Sequence, residues 1–163
     1  MQATKDSFYV ALRDRLVTVD PQRTITMDGV TRPAIAAAEN EPPNAGPPLC
    51  DTFYLHWGST RPGYASAGTP MMMECTISYR TRGSDDNANL DRGRALGSLD
   101  CDLFAICAPF QTAKCDYSSG SAVGLGSMIF WTQPVLSALV NAPPYIGREA
   151  SVSVFFYPEV NQQ

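Results

Sequence analysis

The sequence predicts an α+β fold: a mainly antiparallel sheet of about five strands flanked by two amphipathic helices, with long Pro/Gly-rich loops. Three patterns carry that prediction. Met71, Met73, Cys75, Ile77 and Tyr79 alternate with Glu74, Thr76, Ser78 and Arg80, the two-residue period of a half-buried strand. After a polar turn with Gly83, Asp85 and Asp86, the spacing of Leu96, Leu99, Leu103 and Ile106 puts all four on one helical stripe. Near the start, Phe8, Leu12 and Leu16 recur at four-residue intervals and predict another helix.

The first helix is expected over residues 5–17, with Thr4 as its N-cap and Asp6 in the first turn, where a carboxylate complements the helix dipole. Asp20-Pro21 stops it, because proline disfavours helical geometry in the residue before it. Residues 23–39 read as a hairpin. Asp28-Gly29 supplies the positive φ angles of a two-residue turn between Ile25, Met27 and Val30, and Pro33 confines the second arm to an edge or a bulge. Residues 39–48, ENEPPNAGPP, form a stiff extended loop that projects. Residues 52–57 are a short strand, Phe53, Leu55 and Trp57 alternating with Tyr54 and His56, and residues 59–70 are a Gly/Pro-rich connection into the Met71 strand.

Pro109 marks the exit of the second helix, and residues 115–126, small and glycine-rich, are expected to be a flexible loop. Met128 to Trp131 make a short apolar strand. Gln133-Pro134 then begins a brief helix with Leu136, Leu139 and Val140 on its buried side, ended by Pro143 and Pro144. The last strand, residues 149–157, alternates Val152, Val154 and Phe156 with Ser151, Ser153 and Phe155.

A chain of 163 residues with 44% hydrophobic content is expected to form one domain over residues 1–163. Charged residues are 17% of the chain, against about 25% in ordinary soluble domains. With 12 glycines and 13 prolines, much of the surface is uncharged loop of the kind that meets other proteins. The formal net charge of -4 argues against a dedicated nucleic-acid binder. No signal peptide is visible, and no apolar run approaches the ~18 residues of a membrane span, so synthesis in the cytoplasm is expected. The five cysteines include no C-x-x-C pair and read as buried, reduced thiols.

Candidate chemistry is sparse. His56 is the sole histidine, flanked by Leu55 and Trp57 inside a strand, and no G-x-S-x-G elbow partners it. One histidine and scattered cysteines give no zinc-ligand spacing, and the aspartates Asp85, Asp86, Asp91, Asp100 and Asp102 lack the calcium-loop pattern. No catalytic, cofactor or metal residue is therefore expected. Arg80, Arg82, Arg92 and Arg94 concentrate positive charge around the strand-to-helix turn, where they either meet an acidic partner or pair with Asp85, Asp86 and Asp91. Together with Pro42, Pro43 and Pro47 of the projecting loop and the loop tyrosines Tyr64 and Tyr117, they are the candidate interface residues.

The order of these elements, with its closest local match in Asp91, Arg92, Arg94, Leu96, Leu99 and Asp100, then Phe130, Trp131 and residues 152–157, resembles the tail terminator or tail-completion proteins and related minor tail proteins of long-tailed bacteriophages. The resemblance implies an α+β subunit of a homo-oligomeric ring, a hexamer, in the virion. Such a ring caps the tail tube protein and docks to a head-completion or connector protein. DNA passes its lumen without specific recognition, and no membrane, cofactor or catalysis is involved. The alternatives are another neck or tail component, or a small cytosolic ligand-binding domain or enzyme in which His56, Trp57 and Tyr79 converge on a cavity between helix and sheet.

Overall fold

The computed structural model describes residues 1–41, 48–62, 70–84 and 90–158. Pro42, Pro43, Pro47, Tyr64, Asp85 and Asp86 lie outside them. The chain begins with helix α1 (Gln2–Val19), followed by the hairpin β1 (Thr24–Met27) and β2 (Val30–Pro33), strand β3 (Ile35–Ala37) and a 3-10 turn at Ala38–Asn40. Then come β4 (Phe53–Pro62), β5 (Met71–Thr81), α2 (Arg92–Cys107), β6 (Gln111–Asp116), β7 (Val123–Trp131), β8 (Val135–Leu136), β9 (Val140–Ala142) and β10 (Tyr145–Phe156).

The fold is α+β, but the sheet is larger than the five or so strands expected. Among the described residues, eight strands join in it, in the order β3-β4-β5-β10-β7-β6, with β8 and β9 also paired to β10. Its pairings are antiparallel except for β3 against β4. Strand β10 is the spine: β5 covers one of its edges from Ile146 to Phe156, while β9, β8 and β7 tile the other in turn. The β1–β2 hairpin is a separate two-stranded sheet whose turn residues Asp28 and Gly29 have φ of 51° and 77°, and Pro33 closes its last pair with Thr24.

Both helices pack on one face of this sheet. Leu96, Leu99, Leu103 and Ile106 of α2 and Phe8, Leu12 and Leu16 of α1 meet Phe53, Leu55, Cys75, Ile77, Val152 and Val154 in one core. Each such leucine contributes about 2 kcal/mol by leaving water. Helix α1 touches β3 at one end of the sheet and β6 at the other, so the sheet curls around it. The Phe8 ring sits edge-on to both Trp57 of β4 and Trp131 of β7, at centroid distances of 5.6 and 5.2 Å.

Four expectations are corrected. Helix α1 starts at Gln2 with Met1 as its cap, so Thr4 lies inside the helix and is fully buried; the apolar stripe extends back through Ala3, and packing rather than capping chemistry sets the start. Residues 59–62 belong to β4, which continues past a bulge between Trp57 and Thr60 because β5 offers it a partner up to Met71. Residues 115–126 are not a loop throughout: β6 and β7 form a hairpin whose register shifts between Ala113 and Cys115, with Gly126 at φ 70° in β7 absorbing the extra residues. Residues 133–142 form no helix, since the free edge of β10 takes Val135–Leu136 and Val140–Ala142 as short strands. Leu139 and Val140, expected to be buried, are exposed.

Candidate interface surfaces

Three of the four arginines gather at the end of the sheet where β5 finishes and β10 begins. The Arg80 guanidinium stacks 4.4 Å over the Tyr145 ring and donates to the Pro48 carbonyl. Arg92, the first residue of α2, donates from Nη1 to the Pro144 carbonyl at 3.2 Å. Arg82 follows β5 and is exposed; its backbone lies beside the Cys50 thiol, which burial, then the Asp51 charge, push above the ordinary cysteine range against the pull of Arg80 and Arg82. Arg94 is exposed on α2. Arg80 and Arg92 therefore tie the strand ends, the segment at Pro48 and the α2 start together.

Tyr117 lies at the opposite end, in the turn between β6 and β7, and is half-buried rather than displayed on a mobile loop. Burial raises its pKa, and the neighbouring Cys115 adds to the rise.

His56, Trp57 and Tyr79 do not converge. The β4–β5 register puts Trp57 and Tyr79 on the helix-covered face and His56 on the other, where its Nε2 is 2.9 Å from Ser78 Oγ. His56 and Trp57 line a groove of about 600 Å³ with Lys5 and Glu39, whose side chains pair at 2.7 Å across it. Tyr79 instead donates to Asp100 Oδ1 at 2.5 Å, and Arg148 approaches Asp100 Oδ2 at 3.4 Å. Among the described residues, no three His, Cys, Asp or Glu side chains are grouped to hold a metal ion, and no helix is long and apolar enough to cross a membrane.

Among the described residues, no helix lies on the sheet's second face. Across it, one row runs Arg61, Met72, Phe155, Phe130 and Gln111, followed by Glu74 with Ser153, then His56, Thr76, Ser151 and Val135, then Tyr54, Ser78 and Glu149, then Arg80, Gly147 and Val140. The middle of this face is polar. Along its β7–β8–β9 side, however, Met128 is 38% exposed, Phe130 42%, Val135 68% and Val140 58%. At the Val140 end, a mainly apolar groove of about 270 Å³ is walled by Arg80, Tyr145, Ala142 and Gly147. The sequence reading passed over this stripe because it assigned residues 133–140 to a helix. One signal was present: Met128, Ile129, Phe130 and Trp131 are apolar on both faces of a strand, more than one-sided helix packing requires.

No protein-family model matches the chain, and no curated protein matches it. Among solved structures, a chain described as "Virion of native gene transfer agent (GTA) particle" is similar at a TM-score of 0.37 and 12% sequence identity, over 93% of this chain and 92% of that one. A likeness at that level carries no functional argument.

Proposed function

We propose that the protein is a structural subunit of a phage-type particle, acting at the head–tail joint as a closed ring of identical copies. In this reading the ring, a hexamer, caps the tail tube and docks it to a head-completion or connector protein, and the subunit performs no chemistry. The observation that carries the reading is the one-sided coverage of the sheet: α1 and α2 occupy one face, while the other displays large apolar side chains to solvent. Exposed large apolar side chains repeated along one side of a sheet face suit a contact with another macromolecule. A closed ring also needs two different patches on each copy, one fitting the other, which suits a chain whose sheet has different ends. The net charge of -4 suits a lumen that DNA slides through, since a basic lining would hold the phosphates.

The test is the mass of the purified full-length chain by light scattering across a concentration series, with its position in particle images as the second readout. A closed oligomer is expected. A 17.7 kDa monomer at every concentration, absent from the neck and tail of particles, overturns the reading.

A further inference from the structure

We propose that the exposed stripe of Met128, Phe130, Val135 and Val140, with the Gly147 groove at its end, is the surface through which one copy of this chain docks on another. The inference rests on the assembly reading above and assigns it a place. Register puts all four side chains on the face opposite α1 and α2, along the side where β7, β8 and β9 run beside β10. Inward from Phe130 the row continues through half-buried Phe155 to buried Met72, so the exposed part of the surface ends at β7.

Size and charge both point to a second copy. A standard interface buries about 800 Å² per partner, of which roughly 60% is apolar, so about 500 Å² of apolar surface is needed. Four large side chains at these exposures supply several hundred Å², a large share of that requirement. The ionised groups on the same face are balanced: Arg61 pairs with Glu74 at 2.9 Å, and Arg80 and Glu149 lie further along. A face with charges of both signs meets another copy of its own chain without a like-charge penalty. The groove of about 270 Å³ accepts a large apolar side chain from the neighbour, the anchor-in-pocket arrangement that dominates interface energetics.

The experiment compares the full-length chain with the double variant Phe130→Glu/Val135→Glu and the control Val17→Glu, which charges an exposed apolar position on α1 away from this face. Light scattering gives the mass, and circular dichroism with urea titration reports the fold. The expected result is a multimer for the wild-type and control chains and a folded 17.7 kDa monomer for the double variant. A folded double variant that keeps the wild-type mass overturns the stripe while leaving the assembly reading standing. A wild-type chain that never associates overturns both. Should the double variant unfold, hydrogen exchange of the wild-type chain at low and high concentration decides: amides of residues 128–142 gain protection on association, and unchanged protection there overturns the proposal.

Discussion

Tyr79 shows how a single polar contact fastens a helix to the sheet. Its ring packs edge-on to Phe53 at 5.4 Å, and its hydroxyl donates to Asp100 on α2, which Arg148 of β10 also faces. One carboxylate thus links β5, β10 and α2. Burial, then the hydrogen bond to Asp100, hold the phenol protonated well above its ordinary range. Tyr79→Phe keeps the ring and removes only the donor, leaving a half-buried carboxylate with Arg148 as its remaining named partner. A loss of about 1–3 kcal/mol is expected, read as a lower urea midpoint with an unchanged slope. A variant as stable as the parent would mean that solvent already satisfies Asp100. The alternation of residues 71–79 made the inward side of Tyr79 legible in the sequence. Its partner was not, because Asp100 is brought to it by the docking angle of α2, which no local pattern encodes.

At the level of elements, those with a strong period of their own were legible and those held by a neighbour were not. Strand β5, helix α2 and the Asp28-Gly29 turn carry local signals, and the structure has all three. Strand β7 opens with VGLGS, whose composition is that of a loop, yet pairing with β6 makes it a strand. Residues 135–140 have a helix-compatible spacing that the vacant edge of β10 overrides. The close approach of β10 to β5 also depends on one glycine. A Cβ at Gly147 would stand 2.8 Å from the Tyr79 carbonyl oxygen and 3.0 Å from the Arg80 Cβ, so Gly147→Ala forces the strands apart and is expected to cost about 1–3 kcal/mol. Gly97→Ala is the counterpart: it lies within α2 with nothing within 4 Å of the new methyl, and is expected to gain about 0.5–1 kcal/mol from helix propensity. Urea titration of both variants measures the difference, and equal effects would sink the packing argument.

Over the whole molecule, one curled sheet wraps α1 so that Phe8 touches tryptophans from both sides, and two thiols lie sealed within the same core. The sequence made the apolar residues of that core legible, but not the curl, because which strand ends meet the helix depends on the pairing order. Burial pushes the Cys107 thiol up to about 12 and holds Cys75 higher still, with Cys107 itself adding to the Cys75 rise. In the unfolded chain these thiols ionise near pH 8.5 and a tyrosine near pH 10. Between those values and the raised folded ones, the folded chain binds more protons, so its stability falls as pH rises; below about pH 8 both states hold these protons and the contribution is complete. At pH 10 the loss is on the order of 2 kcal/mol for each buried thiol. The urea midpoint is therefore expected to be level from pH 7 to 8 and to drop steeply by pH 10. Replacing Cys75 and Cys107 by alanine lowers the starting stability, by about 1–3 kcal/mol per site for the lost packing, but flattens that pH dependence. A wild-type profile that stays level to pH 10 would mean that water reaches the thiols, and that the sheet does not close around α1 as tightly as its aromatic contacts require.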